Sequence, residues 1–123
     1  MKVLVCGGRD FNDQPFLYGV LDSFGFGPIT TIIHGAARGA DSMAGKWARD
    51  RKIPELVFPA DWNLYGKQAG PIRNQQMLDQ GQPDIVVAFP GGRGTAHMIS
   101  IASKAGVIVY EPRSVAFLDL EGK

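Results

Sequence analysis

The chain has 123 residues, of which 45% are hydrophobic, 20% charged and 10% aromatic, a composition that excludes disordered, collagenous and fibrous proteins. A chain of this length is expected to form one domain with one core, which excludes most two-domain enzymes. The formal net charge of +1 argues against a polybasic coat for nucleic acid or for anionic membranes, so any anion site must be local.

Cysteine usage and hydropathy point to an intracellular protein. Cys6 is the sole cysteine, which leaves no disulfide within the chain and no thiolate cluster for zinc or an iron–sulfur centre. No apolar stretch has the length of a signal peptide or a membrane span. We therefore expect a cytoplasmic protein in a reducing compartment, without membrane contact, metal or cofactor.

Five short apolar runs predict β-strands, at residues 2–6, 30–33, 56–58, 84–89 and 107–110. They lack polar alternation, a pattern typical of strands buried on both faces of a parallel sheet. Helical patterns lie between them, at about residues 16–24, 43–48, 73–79 and 96–104. Because parallel strands need right-handed crossovers, this alternation predicts a three-layer α/β fold, a Rossmann-like open parallel sheet with strand order 3-2-1-4-5.

The predicted topology also places a binding site. In open parallel sheets, ligands bind beyond the carboxyl ends of the strands where the winding reverses, here after the first and fourth strands. We expect one domain over residues 1–112. The tail, residues 113–123, carries Val115, Phe117, Leu118 and Leu120 and is expected to cover a sheet edge or contact a second subunit.

Four glycine-containing loops each carry one arginine and are predicted to lead into a helix. They are Gly7-Gly8-Arg9-Asp10, Gly35-Ala36-Ala37-Arg38-Gly39-Ala40-Asp41, Gly70-Pro71-Ile72-Arg73-Asn74 and Pro90-Gly91-Gly92-Arg93-Gly94-Thr95. Glycine lets a ligand approach the backbone, helix N-termini favour phosphate, and the arginine fork fits phosphate oxygens. Since neighbouring strands lie about 4.8 Å apart, the four arginines are expected to converge at one edge of the sheet.

The predicted ligand-binding residues come from these loops and from the connection that precedes the third one. They are Gly7, Gly8, Arg9, Asp10, Gly35, Arg38, Gly39, Asp41, Trp62, Arg73, Asn74, Pro90, Gly91, Gly92, Arg93, Gly94 and Thr95. Residues 90–95 make the best phosphate cradle, since three glycines surround Arg93 and Thr95 can cap the next helix or hydrogen-bond a phosphate.

Several of these residues also have a structural interpretation. Residues 90–95 could be only a tight strand-to-helix turn, with Arg93 in solvent. Asp10 and Asp41 could hydrogen-bond a ribose or cap a helix. Trp62 could stack on a base or fasten its loop to the core. His34 is interpreted as a structural group.

These loops resemble those of the YspA cpYpsA-related SLOG family. The motifs that carry the resemblance are His34-Gly35-Ala36-Ala37-Arg38-Gly39-Ala40-Asp41, Phe58-Pro59-Ala60-Asp61-Trp62, Gly70-Pro71-Ile72-Arg73-Asn74-Gln75-Gln76-Met77 and Ala88-Phe89-Pro90-Gly91-Gly92-Arg93-Gly94-Thr95. The resemblance spans residues 2 to about 110. It implies that residues 1–112 form a SLOG-type nucleotide-binding domain for a nucleotide or nucleotide-derived ligand, and that the protein is a homodimer.

Two wider relatives suggest other functions. Residues 90–98 are similar to the Pro-Gly-Gly-x-Gly-Thr-x-x-Glu motif of the Lonely Guy phosphoribohydrolases, which cleave the N-glycosidic bond of nucleoside 5'-monophosphates, and Arg73 resembles their catalytic arginine. Met98 replaces the motif glutamate, although a carboxylate wanted near the oxocarbenium-like transition state could come from Asp10, Asp41 or Glu111. We therefore favour nucleotide binding over hydrolysis.

The other relative is DprA, a single-stranded DNA-binding protein with a segment similar to residues 35–41. A strand-binding protein that relies on phosphate contacts would normally show a basic excess, which a net charge of +1 does not provide. Nucleic acid is therefore the third hypothesis, after a small nucleotide ligand and after hydrolysis.

Overall fold

The computed structural model describes residues 1–113, which form a five-stranded parallel sheet with helices on both faces. The strands are β1 (Lys2–Cys6), β2 (Thr31–His34), β3 (Glu55–Val57), β4 (Ile85–Ala88) and β5 (Ile108–Tyr110). Their order is β3-β2-β1-β4-β5 and every neighbouring pair is parallel, which confirms the predicted Rossmann-like α/β fold. Of the predicted tail, residues 114–123 lie outside the described residues.

Five α-helices connect the strands: α1 (Gln14–Asp22), α2 (Ala40–Asp50), α3 (Trp62–Tyr65), α4 (Ala69–Gly81) and α5 (Arg93–Lys104), with a 3₁₀ turn over Gly66–Gln68 between α3 and α4. Local sequence explains where α1 begins. The Asp13 carboxylate accepts a hydrogen bond from the Phe16 N–H, and Pro15 lies in the first turn, where its missing N–H costs nothing.

The segment before β4 is more helical than predicted. The interpretation of Gly70-Pro71-Ile72-Arg73-Asn74 as a loop is wrong, because α4 begins at Ala69 and these residues form its first turns. Pro71 is tolerated because N–H groups in the first turn have no partner within the helix. Arg73 and Asn74 are therefore held by a helix.

The core lies in two layers, one on each face of the sheet. Alternate residues of β1 point to opposite faces, so Val3 and Val5 pack on α1 and α2, whereas Leu4 and Cys6 pack with α4 and α5. The side chains of β1 are fully or almost fully buried from Val3 to Cys6, and so are those of β4. This central pair of strands forms the rigid base from which the loops at their carboxyl ends project.

The prediction that all five strands are buried on both faces is wrong for the edges of the sheet. In β3, Leu56 and Val57 are 38% and 45% exposed, and in β5, Ile108 is 57% exposed. Each of these strands pairs on one side only within residues 1–113. No helix in this part of the chain is long and apolar enough to cross a membrane.

Candidate functional site

A cleft of about 1190 Å³ opens beyond the carboxyl ends of β1 and β4. These two strands are neighbours in the sheet although two strands, β2 and β3, lie between them in the chain, so the cleft lies at the point where the winding reverses. The loops after β1 and β4 line it from the sheet, and the first turns of α4 and α5 close its sides. The topology thus brings together segments that are far apart in sequence.

Most of the residues predicted to bind a ligand line this cleft. They are Gly7, Gly8, Arg9, Asp10, Asp41, Trp62, Arg73, Asn74, Pro90, Gly91, Gly92, Arg93, Gly94 and Thr95. Gly35 and Arg38 instead line a smaller cavity beside it. Gly39 lines neither, and its positive φ of 80° and close approach to the Gly8 carbonyl oxygen give it a role in packing the α2 start against the β1 loop.

The N-terminus of α5 presents free backbone donors to the cleft. Gly92 is the N-cap and has no side chain to cap the helix. Among the described residues, no acceptor takes the N–H groups of Arg93, Gly94 and Thr95, and the first satisfied amide is that of Ala96, which donates to the Gly92 carbonyl. Thr95 lies in the first turn of α5 and is buried, so it is not the helix cap.

For Gly92 and Gly94, residues 1–113 give no steric reason why the position should be glycine. A Cβ added to Gly92 or Gly94 would meet no atom within 4 Å. In contrast, a Cβ on Gly91 would lie 2.6 Å from the backbone nitrogen of Gly8, and one on Gly7 would lie 2.6 Å from the Ala40 Cβ. Gly7 and Gly91 therefore let the loops pack together, whereas Gly92 and Gly94 leave space over the helix terminus.

Arg73 links α4 to the loop after β2, and Asn74 links α4 to the first turn of α5. Arg73 donates from Nη1 to the Gly35 carbonyl at 2.5 Å and from Nε to Asn74 Oδ1 at 3.1 Å. Burial lowers the pKa of Arg73, although the nearby Asp41 carboxylate opposes this shift. Two of its five donors are thus used within the protein, and the guanidinium still lines the cleft.

Asn74 is buried and fixes the first turn of α5. Its Nδ2 donates to the Gly94 carbonyl at 3.3 Å and lies 3.1 Å from Nδ1 of His97. His97 lines the cleft and is absent from the residues predicted from sequence. The signal that would have found it is helical spacing, since it lies one turn after Gly94. Lys67 also lines the cleft, from a 3₁₀ turn that sequence reasoning placed in a loop.

The loop after β2 is held by its own side chains. Asp41 Oδ2 accepts from the N–H groups of Gly35 at 3.0 Å and Ala37 at 3.3 Å, and His34 Nδ1 accepts from Ala36 at 3.1 Å. Burial raises the pKa of Asp41, an effect that these amide hydrogen bonds oppose. The other ring nitrogen of His34 lies 2.8 Å from Glu55. These contacts agree with the structural interpretation of His34.

Sequence comparisons with known proteins show which family the chain belongs to. Residues 1–65, which include the loops after β1 and β2, match the YspA, cpYpsA-related SLOG family. The chain belongs to this family. It is also similar to the Gene 61 protein of Mycobacterium phage D29, with 39% identity over 118 residues, which covers 88% of this chain and 93% of the phage protein.

The SLOG chain carries an excess of cations around its cleft. The lining residues with a permanent positive charge are Arg9, Lys67, Arg73 and Arg93, and the acidic ones are Asp10 and Asp41. Arg9 stacks over the Trp62 ring, with 5.5 Å between the guanidinium carbon and the ring centroid, and Trp62 is 49% exposed at the cleft. A nearly neutral chain therefore concentrates positive charge locally.

The position of the Lonely Guy glutamate lies in the core of this SLOG chain. Met98 is 1% exposed and belongs to the apolar cluster between the sheet and helices α4 and α5. Of the three carboxylates considered as substitutes, Glu111 lies outside the cleft lining, and Asp41 already accepts two backbone N–H groups. Asp10 is exposed, and its carboxylate lies 3.6 Å from Arg38. No group of three or more potential metal ligands occurs within residues 1–113.

Proposed function

We propose that this SLOG-family protein binds a nucleotide or nucleotide-derived ligand, with a phosphate group at the N-terminus of α5. The observation that supports this proposal most directly is that, within residues 1–113, three N–H groups have no acceptor and two neighbouring glycines have open Cβ positions. Free amides at a helix start form hydrogen bonds with an anion, and the helix dipole adds to the attraction. A backbone without side chains lets phosphate oxygens reach those amides.

The surrounding side chains supply the rest of such a site. Arg73 and Arg93 can neutralise the phosphate, and the half-exposed Trp62 ring offers a face on which a base can stack. A cleft of about 1190 Å³ is large enough for a nucleotide. The burial of Met98 in the core supports binding without N-glycosidic hydrolysis, since this side chain brings no charge to the cleft.

A charge reversal inside the first turn of α5 tests the phosphate site. Gly94→Asp places a carboxylate at the free amides, where it should repel phosphate, and Asp is favourable at a helix start. A screen of nucleoside mono-, di- and triphosphates by thermal shift identifies the probe, and a ligand at about 100 times its Kd should raise the midpoint by on the order of 10 °C. We expect Gly94→Asp to abolish this shift.

Ser100→Asp is the matched control. Ser100 is exposed on α5 and lines neither the cleft nor the cavities beside it, so the added charge is equal and the cleft lining is unchanged. Equal nucleotide affinity in Gly94→Asp and Ser100→Asp would rule out the α5 site. A shift with a single-stranded oligonucleotide, but with no free nucleotide, would replace the proposal with the DNA-binding alternative.

A further inference from the structure

The smaller cavity beside the cleft has a volume of about 440 Å³ and lies beyond the carboxyl end of β2. Arg9, Ala37, Trp62 and Arg73 line both cavities, so the cleft and the smaller cavity meet along these four residues. A ligand that extends from the α5 terminus past Trp62 would therefore enter the smaller cavity.

The smaller cavity is strongly cationic. Three guanidinium groups line it, those of Arg9, Arg38 and Arg73, and among residues 1–113 no carboxylate does. Asp10 lies 3.6 Å from Arg38, and the side chains of Asp10 and Arg38 are 99% and 75% exposed. An exposed ion pair at this distance contributes little and is screened by salt, so it leaves Arg38 available to a stronger anion.

The first three residues of the β2 loop offer no free backbone donor to this cavity. The N–H groups of Gly35, Ala36 and Ala37 are all taken by Asp41 and His34. The cavity thus differs from the α5 terminus, where free amides face the cleft. Beside these three residues an anion meets the arginine side chains, and Arg38 is the guanidinium that belongs to this cavity alone.

We propose that the ligand carries a second anionic group, which binds in the cavity of Arg9, Arg38 and Arg73 while the first phosphate occupies the α5 terminus. This inference rests on the proposed function and narrows the ligand to molecules with two phosphate-linked units. A mononucleotide fills only the cleft. The three-arginine cavity then gives the longer ligand the higher affinity, because its second unit forms charge-assisted hydrogen bonds that a mononucleotide lacks.

The test compares one-unit and two-unit probes by isothermal titration calorimetry. The probes are AMP, the 5'-phosphorylated dinucleotide pApA, and ADP-ribose. We expect at least one two-unit probe to bind on the order of tenfold more tightly than AMP, the gain of one added charged hydrogen bond. Arg38→Gln should remove that gain and leave the Kd of AMP unchanged.

Lys46→Gln is the charge-matched control, since Lys46 is exposed on α2 and lines neither cavity. Loss of the two-unit gain in Arg38→Gln but not in Lys46→Gln supports a local contact, and Arg38→Lys should restore part of it. The second subsite is wrong if no two-unit probe binds more tightly than AMP, or if Arg38→Gln weakens AMP equally. If AMP binds and Gly94→Asp abolishes this binding, the α5 site stands in either case; if no probe binds, both proposals fall.

Discussion

Adjacent glycines in the loop after β4 serve different needs. Gly91 packs so closely against the β1 loop that an added Cβ would lie 2.6 Å from the Gly8 backbone nitrogen and would clash with Thr95 Oγ1. Gly94 sits in a helical turn with open space above it. In a helix, glycine is less favourable than alanine, so Gly94 reduces stability without any steric reason within the described residues.

This contrast predicts opposite effects of one substitution at the two positions. Gly91→Ala should lower the free energy of unfolding by about 1–3 kcal/mol, because backbone atoms must move apart. Gly94→Ala should raise it by about 0.5 kcal/mol while weakening nucleotide binding, because the methyl group covers the free amides. Urea denaturation and calorimetric titration measure the two effects. A Gly94→Ala variant that gains stability and keeps full affinity would contradict the role given to this glycine.

The sequence predicts which residue types gather at the site better than it predicts their individual roles. The spacing of glycine and arginine predicts that four arginines converge; Arg9, Arg73 and Arg93 line the cleft, and Arg38 lines the smaller cavity. The spacing cannot show that the Asp41 carboxylate accepts hydrogen bonds from the N–H groups of its own loop, because these hydrogen bonds depend on how α2 packs against the sheet. Nor does it show His97, which is paired with Asn74 across two helices.

At the scale of elements, the cleft depends on the contact between α4 and α5. Asn74 forms this contact, since its side-chain amide accepts a hydrogen bond from Arg73 in α4 and donates one to the Gly94 carbonyl in the first turn of α5. The existence of both helices is predictable from apolar periodicity. The residue at which α4 begins is not predictable, because Gly70 and Pro71 usually indicate a loop, whereas here they lie in the first turn of the helix.

Removing the Asn74 side chain should therefore affect both stability and binding. Asn74→Ala leaves buried partners without hydrogen bonds, which we expect to cost about 1–3 kcal/mol in the free energy of unfolding, and it frees the first turn of α5. Nucleotide affinity should fall in parallel. The adjacent Gln75→Ala is the control, because Gln75 makes only an exposed hydrogen bond to Asp79. Equal behaviour of the two variants would exclude the proposed link.

At the scale of the whole molecule, the order of strands is predictable because few right-handed crossover topologies are compatible with the alternation of strands and helices. The exposure of the edge strands is not predictable from the sequence. Leu56 and Ile108 have the same apolar character as the central strands, and only their position in the sheet leaves them accessible. Sequence pattern reports what a strand can bury, and topology decides what it does bury.

Ion pairs between elements predict how the fold responds to acid. Hydrogen bonds from Arg51 and Trp47 lower the pKa of Asp22, which joins the end of α1 to α2. Burial raises the pKa of Glu55, but hydrogen bonds from His34 and Arg49 outweigh it and the net shift is downward. A carboxyl with a lowered pKa in the folded state stabilises the fold fully above its unfolded value, about 3.9 for Asp and 4.3 for Glu.

The stabilisation from Asp22 and Glu55 is lost as the pH falls through their folded pKa values, so these two groups should lower the urea midpoint at pH 3 relative to pH 7. Asp41 acts in the opposite direction, because burial raises its pKa. In Asp22→Asn the urea midpoint should fall less between pH 7 and pH 3 than in the parent protein. The difference should be modest, because the Asp22 side chain is 44% exposed and solvent screens its ion pair with Arg51. Parallel pH series of the two proteins provide the measurement. An identical decrease in both would show that Asp22 takes no part.

The stacking of Arg9 on Trp62 gives the molecule an optical property. The other indole, that of Trp47, is 3% exposed, donates a hydrogen bond to Asp22 and does not line the cleft. Any molecule that displaces Arg9 changes the polarity around the Trp62 ring alone, so its fluorescence emission shifts while that of Trp47 stays constant. The fold thus contains a reporter at the cleft and an internal reference in the core, and occupancy becomes visible without an added label.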